Sequence, residues 1–376
     1  MGNGKEFAVV HRTSQIRASP NRLLHLLVLF LGLCFIFSVV SVYMIRHHGA
    51  NDVVATLMQP CFEKELVSLE CWIKPPSKLL HSMSDEELFW RASSPPRIKK
   101  YPFNRVPKIA FMFLTKGPLP LVPLWERFFK EHSGLYEIYV HSLPSYQADF
   151  PPTSAFYRRQ IPSQVAKWGR MSICDAERRL LANALLDINN EWFVLLSESC
   201  IPLYNFSIIC NYITKSKYSF VGAFDDPALI RRGHYDENMA PEVEISQWRK
   251  GSQWFQINRK LALFIVADTK FYPKFNEFCR PPCVGDEHYF PTVLTIQAPD
   301  LLANRSITWV DWSREGAHPA TFGSTNITEQ LMKRMLENNT CPYNNQPTSI
   351  CYLFARKFAP SALEPLFLLA PKYLGY

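Results

Sequence analysis

Residues 23–45, LLHLLVLFLGLCFIFSVVSVYMI, contain no Asp, Glu, Lys or Arg. A helix of roughly 20 such residues crosses the ~30 Å hydrocarbon layer of a bilayer. The segment is too long for the apolar part of a cleaved signal peptide, and no small-residue cleavage site stands out. It therefore predicts a transmembrane signal anchor, which separates a short tail, residues 1–22, from residues 46–376.

The basic residues around this segment predict its orientation. Those that precede it are Lys5, Arg12, Arg17 and Arg22. Those that follow it within about twenty residues are Arg46 and Lys64. Because basic flanks stay in the cytosol, we expect a cytosolic tail and a lumenal remainder. This is a single-pass type II topology.

The cysteines agree with a lumenal chain. Cys34 lies in the predicted anchor, and the others are Cys61, Cys71, Cys174, Cys200, Cys210, Cys279, Cys283, Cys341 and Cys351. Most of them are expected to form disulfides, whose pairing the sequence leaves open. Because their number is odd, at least one is free or links two chains, so a homodimer is one expectation. The candidate N-glycosylation sites are Asn205, Asn304, Asn326 and Asn338.

Residues 46–107 are rich in proline and predict a stem. One short helix is expected there, SDEELFWRA, because Ser84 and Glu87 have the spacing of a capping box.

From residue 108 the sequence alternates apolar runs of strand length with helical patterns. Strands are predicted at 108–115, 136–142 and 191–197, and helices at 121–132, at 172–188 and near 205–214. Such alternation predicts an α/β domain, residues 108–376, whose mainly parallel sheet carries amphipathic helices on both faces. Ligands bind at the carboxyl ends of the strands in such sheets.

Several classes of function are disfavoured by the sequence. It has neither the Gly-rich signature of a dinucleotide-binding fold nor that of a P-loop. The net charge of +8 is not gathered into a dense Lys/Arg stripe, so nucleic-acid binding is not expected.

A set of motifs gives a more specific prediction. In chain order they are KIAFMFLTKGPLPL, YEIYVHSLPSY, AKWGRMS, LLSESCIPL, WRKGSQWF, GDEHYFPTVL, WVDWS with GAHPATF, and LFARKF. Together they span residues 108–358 and resemble the plant-type branch of the core-2/I-branching β-1,6-N-acetylglucosaminyltransferase family. The resemblance implies a Golgi type II membrane enzyme of the GT-A fold, which transfers a sugar from a nucleotide-sugar with inversion and without a metal.

Glu287, in GDEHYFPTVL, matches the family's general base, which takes the proton of the acceptor hydroxyl. Asp286 is the second choice for this role. On local sequence alone, both acids are equally explained as capping residues at a helix start. A metal site built from Asp286, Glu287 and His288 is less favoured, because successive residues rarely point at one ion.

The resemblance implies that Lys357 contacts the departing diphosphate and neutralises its charge, as a metal does in other enzymes. Arg356 lies beside it in the sequence. Metal-dependent GT-A enzymes carry Asp-x-Asp after a buried strand, whereas SESC here offers only Glu198. A cation at Asp225 and Asp226 is the competing hypothesis, although Asp-Asp-Pro is also an ordinary turn.

The remaining site predictions concern sugar and nucleotide contacts. Donor contacts are expected from Trp168, Arg170 and His141, although His141 departs from the aspartate of animal members. Acceptor contacts are expected from Trp254, Trp312, Glu242 and Arg249. For each tryptophan, a place in the core is the alternative.

We therefore expect a Golgi-anchored enzyme that moves a sugar, N-acetylglucosamine first, from a UDP-sugar to a glycoprotein or polysaccharide acceptor. A glucuronosyl- or xylosyltransferase on the same fold is the alternative within enzymes. A catalytically silent binding protein of the secretory pathway is the alternative outside them. A glycosidase would require two opposed carboxylates, and only Glu287 has a supporting motif.

Overall fold

The computed structural model describes residues 24, 28–40, 78–94, 101, 103–225, 234–314, 316, 318–337 and 339–376. The chain divides into two compact units, Met1–Trp72 and Ile73–Tyr376. In the first unit, residues 28–40 are helical and exposed. Among the described residues, no helix has both the length and the apolar character needed to cross a bilayer. The rest of the predicted anchor lies outside them, as do Cys61 and Cys71.

The second unit is built on a four-stranded sheet. Its strands are β1 (Lys108–Leu114), β2 (Tyr136–His141), β3 (Asn190–Ser197) and β5 (Gln256–Asn258), in the order β2-β1-β3-β5. The first three are mutually parallel, with Phe111 opposite Ile138 and Val194, and β5 runs antiparallel to β3. The predicted strands and their mainly parallel pairing are confirmed.

Helices cover both faces of this sheet, as predicted. Within the described residues the helices are α1 (Asp85–Ser93), α2 (Val122–Phe129), α3 (Ser172–Leu185), α4 (Phe206–Thr214), α5 (Arg259–Val266), α6 (Tyr272–Phe278), α7 (Gly285–Gln297), α8 (Glu329–Leu336) and α9 (Leu363–Tyr373). Side chains alternate along a strand, so Phe111 and Phe113 pack with α2 while Ala110 and Met112 pack with α3 and α5.

The helix predicted at 172–188 is confirmed as α3, and its polar face is buried as well as its apolar face. Arg178, Arg179 and Asn183 are at most 5% exposed. The cause is α1, whose Asp85 accepts hydrogen bonds of 2.7 and 2.6 Å from Nε and Nη2 of Arg179. The capping box of Ser84 is confirmed. Although α1 lies in the predicted stem, it belongs to the compact unit that begins at Ile73.

A second, three-stranded sheet extends the carboxyl edge of the first. It contains β4 (Ile201–Pro202), β9 (Phe354–Arg356) and β6 (Thr308–Val310), in the order β4-β9-β6. The backbone N–H of Phe358 donates to the carbonyl of Ser199 at 2.9 Å, which fixes the end of β9 beside the end of β3. A hairpin of β7 (Cys341–Tyr343) and β8 (Gln346–Thr348) completes the unit.

The disulfide expectation is confirmed in part. Cys279 pairs with Cys283, and Cys341 pairs with Cys351. The free cysteines of this unit are Cys174, Cys200 and Cys210. At least one unpaired cysteine was expected; of these three, Cys174 and Cys200 are fully buried and Cys210 is partly exposed.

Candidate active site

The start of α7 places Asp286 and Glu287 at the centre of the candidate site. Asp286 is 3% exposed, whereas the Glu287 side chain retains 30% of its exposure. Acidic groups in the first turn of a helix interact favourably with its dipole. Gly285 permits a close approach of α7 to α3, because a Cβ at this position would lie 2.4 Å from Sδ of Met171. The partly exposed Glu287 is therefore held on a tightly packed helix start.

Pro291, inside α7, leaves the main-chain carbonyl of Glu287 free to accept a bond from the loop before it. Pro291 has no N–H, so the carbonyl of Glu287 lacks its partner four residues along the helix. The N–H of Gly251 donates to that carbonyl instead, at 2.8 Å. Only glycine fits here, because a Cβ on Gly251 would lie 1.8 Å from the carbonyl oxygen of Gly222.

This main-chain bond brings Lys250 to the candidate base. Its ammonium donates to the Glu287 carboxylate, and the two form an ion pair. The backbone of Lys250 is itself fixed by paired bonds of 2.7 and 2.9 Å with Phe224. Sequence reasoning did not single out Lys250, although WRKGSQWF was among the motifs. In the sequence Lys250 is marked only by the glycine that follows it, which does not by itself indicate a contact with Glu287.

The end of β9 supplies the cationic part of the site. Arg356 lies over the indole of Trp254, with Cζ 4.1 Å from the ring centroid. Burial lowers the pKa of the Arg356 guanidinium, and the nearby Glu198 and Asp286 carboxylates oppose that shift. Burial together with the charge of Arg356 also lowers the pKa of Lys357. Trp254, predicted to contact the acceptor, is 4% exposed and supports Arg356.

The charges around Lys357 come from three strand ends. Glu198 follows β3, Lys116 follows β1, and both interact electrostatically with Lys357 at the end of β9. The structure thus brings Lys357, Arg356 and Glu198 together at the carboxyl edge of the sheet, where the topology predicts a ligand site.

His141 ends β2 on the same edge. It is 1% exposed, and its Nε2 accepts a 3.4 Å bond from the backbone N–H of Gln164. Burial, followed by the charge of Arg179, lowers the pKa of His141 to about 4. The imidazole is therefore neutral at physiological pH and suited to polar rather than ionic contacts.

The other predicted contact residues lie on loops. Trp168 and Trp312 are 58% and 56% exposed, and the Trp168 ring is 5.1 Å from that of His318. Arg170 is also exposed. These side chains are accessible to a ligand.

Glu242 and Arg249 have structural partners. Glu242 forms an ion pair of 3.3 Å with Lys274 of α6. Arg249 donates from Nη1 to the carbonyls of Ser246 and Trp248 at 2.7 and 2.9 Å. Both contacts shape the loop that leads to Lys250.

His288 is not arranged as a metal ligand. It is fully buried, and burial lowers its pKa to about 3. Its Nδ1 lies 2.8 Å from the carbonyl of Arg249, to which the neutral ring donates a hydrogen bond. In the part of the chain that the structure describes, no group of three or more His, Cys, Asp or Glu is placed to hold a metal. Asp225 is exposed, and Asp226 lies outside that part.

Three of the four candidate glycosylation sites are described. Asn205 caps α4 through a 3.0 Å bond from the N–H of Ile208. Oδ1 of Asn304 accepts from the N–H of Ala223 at 2.8 Å, and Oδ1 of Asn326 accepts from that of Gly323 at 3.0 Å. Each of these three bonds uses the side-chain oxygen and does not involve the side-chain nitrogen. Asn338 lies outside the described residues.

A parallel-rich sheet with a helix-borne carboxylate and a cationic cluster at its carboxyl edge fits a GT-A-like glycosyltransferase. Comparison with known proteins agrees: the model of the Core-2/I-Branching enzyme family matches residues 109–336. Glycosyltransferase BC10 of rice, Oryza sativa subsp. japonica, is 35% identical over 301 residues, which cover 68% of this chain and 74% of that relative. The chain belongs to the core-2/I-branching family and is a glycosyltransferase.

The family match has a boundary that matters for the site. It includes Glu287 and Lys250 but ends before Arg356 and Lys357. The case for these two cations therefore rests on their position beside the ends of β1 and β3.

Proposed function

We propose that this enzyme transfers a sugar from a UDP-sugar to a glycan hydroxyl with inversion and without a metal, and that N-acetylglucosamine is the sugar. The observation that carries the proposal is the placement of one partly exposed carboxylate, Glu287, and a group of cations, Lys357 and Arg356, at one edge of the sheet. These are the two components that a single-displacement sugar transfer requires.

In this mechanism Glu287 accepts the proton of the acceptor hydroxyl. The hydroxyl oxygen attacks the anomeric carbon, and the bond from that carbon to the UDP oxygen breaks with its electron pair leaving on UDP. The ion pair with Lys250 holds the carboxylate in place before the acceptor binds. Because the acceptor proton needs a free carboxylate oxygen, we expect Lys250 to shift away or to bind the acceptor oxygens as they enter.

Lys357 and Arg356 are proposed to neutralise the diphosphate as it departs. An Arg guanidinium keeps its charge in proteins, and Arg356 is held over Trp254. The single Glu198 after β3, in place of an Asp-x-Asp pair, supports the metal-free form of the reaction. A glucuronosyl or xylosyl donor uses the same two components, so the identity of the donor is decided by experiment.

We also propose a location for the enzyme, the Golgi membrane. The uncharged segment 23–45 and its basic N-terminal flank support a type II Golgi membrane enzyme with a lumenal catalytic domain. The acceptor is then a glycoprotein or polysaccharide of the secretory pathway.

The first test measures transfer by the full chain from UDP-N-acetylglucosamine, UDP-glucuronic acid and UDP-xylose, with EDTA and with manganese. We expect activity with the first donor in EDTA. Glu287→Gln should lower kcat by about 10²- to 10⁴-fold with an unchanged Tm. Glu277→Gln, which changes an exposed glutamate of α6, is the matched control. Full activity of Glu287→Gln would refute the assignment of the base, and activity only with manganese would refute the metal-free mechanism.

A further inference from the structure

Two buried carboxyl groups lie behind the proposed base. Glu177 of α3 is 0% exposed and Asp286 of α7 is 3% exposed. Oε1 of Glu177 accepts a 2.8 Å bond from Nε2 of Gln253. Oε2 of Glu177 and Oδ1 of Asp286 are both buried and have no hydrogen-bond partner among the described residues. Buried polar atoms normally have partners, so this pair requires an explanation.

The packing of α3 against α7 places the two groups near each other. A Cβ on Gly285 would lie 3.4 Å from Sγ of Cys174. Residues three apart share a helix face, so Glu177 lies one turn beyond Cys174, on the side of α3 that faces Asp286. The two carboxyl groups also repel each other electrostatically.

The surrounding charges determine which carboxyl holds a proton. Asp286 interacts with Lys250, Arg356 and the carboxylate of Glu287. Glu177 interacts with Asp286 and, on its own helix, with the thiol of Cys174. Like charges this deeply buried do not both ionise. Because the cations lie near Asp286, the proton belongs on Glu177.

We propose that Glu177 is a positioning residue that holds one proton between itself and Asp286, and so keeps Asp286 ionised beside Arg356 and Lys250. The protonated Oε2 of Glu177 supplies the donor that Oδ1 of Asp286 lacks. Through Gln253, the same side chain anchors the loop whose next residue, Trp254, carries Arg356. Its effect on transfer rests on the proposed function, whereas the shared proton does not.

Burial of the pair should make the stability of the fold depend on pH. It raises the pKa of Glu177 well above its usual value, and the carboxylate of Asp286 adds to that shift. A folded pKa above the unfolded one contributes stability that is present below the unfolded pKa and is lost as pH rises through the folded pKa. For Glu177, this loss begins at the ordinary glutamate value of 4.5 and continues as pH rises toward the raised folded pKa. The folded chain should therefore lose stability across that window.

Substitutions at Glu177 test the proposal. The amide of Glu177→Gln still accepts from Gln253 and can donate to Asp286, as a protonated glutamate would. Glu177→Met has a similar length and offers neither bond. We expect Glu177→Gln to keep kcat/KM within about twofold, and Glu177→Met to lower it by about tenfold or more through a higher donor KM.

Thermal unfolding provides the independent measurement. Glu177→Gln should raise Tm by at least about 2 °C at pH 8 relative to the parent, with a smaller difference at pH 5. If Glu177→Gln matches Glu177→Met in both rate and Tm, or if its Tm follows the parent at both pH values, the shared proton is refuted. If the parent transfers no sugar, or Glu287→Gln transfers at the parent rate, the proposed function fails, and the Tm comparison still decides the state of the pair.

Discussion

The two faces of the central sheet are packed with different chemistry. On one face, α2 contributes Trp125, Phe128 and Phe129 to an aromatic cluster around Phe111. On the other face, α3 buries Glu177, Arg178, Arg179 and Asn183. The first packing is stabilised by apolar burial, which needs no particular partners. The second depends on specific ion pairs and hydrogen bonds, and α7, which bears Glu287, packs on it. The candidate site draws on both faces, because β9, which ends at Arg356, packs through Phe354 against Phe111 of the aromatic cluster.

The largest expected effect on stability is on the aromatic face. Trp125→Ala should lower the free energy of unfolding by about 3–5 kcal/mol, because it removes a fully packed ring and leaves a cavity. The bond from its Nε1 to the carbonyl of Cys200, 3.1 Å long, is also lost. Urea unfolding measures the change. Trp168→Ala, which removes an exposed ring, is the control and should be near neutral. Equal losses for both would show that the aromatic cluster is not the main support.

On the polar face, Asp85→Asn should cost about 1–3 kcal/mol, because it leaves the buried guanidinium of Arg179 without its charged partner. The loss should lie near the lower end, since Asp85 keeps 34% of its side-chain exposure. Asp300→Asn, at an exposed site, is the matched control. A stability equal to the parent in urea unfolding would mean that α1 adds nothing to this face.

Lys357→Ala tests the cationic part of the candidate site. Removing a charge-assisted contact of about 1.5 kcal/mol or more should weaken UDP binding roughly tenfold, with little change in Tm. Calorimetry with UDP in EDTA measures the affinity. Lys130→Ala, at an exposed lysine, should leave it unchanged. Unaltered UDP affinity in Lys357→Ala would remove this residue from the donor site.

The smallest expected effect concerns the helix that covers the polar face. Ser84→Ala removes the 3.2 Å bond from the N–H of Glu87 and should cost about 1 kcal/mol. The change should appear in amide exchange of α1 before it appears in global unfolding. Protection of α1 equal to that of the parent would show that the cap is not needed once the helix is packed.

The parts of the fold that could be predicted are local ones. The apolar runs at β1, β2 and β3 encode strands directly, and Ser84 with Glu87 encodes a helix start within four residues. Glu287 was predicted as the base through its motif, and the structure places it at a helix start beside a cation; its role stays a prediction. The predicted roles of the exposed residues on the loops remain predictions.

The parts that could not be predicted depend on distant contacts. Lys250 meets Glu287 only because Pro291 frees a carbonyl for Gly251, and no pattern within one segment contains that relation. Glu177 left a faint signal, since it falls four residues before Leu181 and so interrupts the apolar stripe of α3. Its burial, however, requires α7 to be in place. Likewise, the polar face of α3 is buried by α1, which comes from the segment predicted as a stem.

The bond between Gly251 and the carbonyl of Glu287 joins loop and helix through main chain alone. Exposed side chains at positions 234–249 can therefore change without altering the bond that holds Glu287 to the loop. An engineer who wishes to vary this loop has exposed positions such as Glu237, Glu244 and Ile245, whereas Met239, Val243 and Trp248 belong to the core. At Gly251, by contrast, a single added methyl group would collide with Gly222 and with Pro291 of α7, and so would displace the helix that carries Glu287.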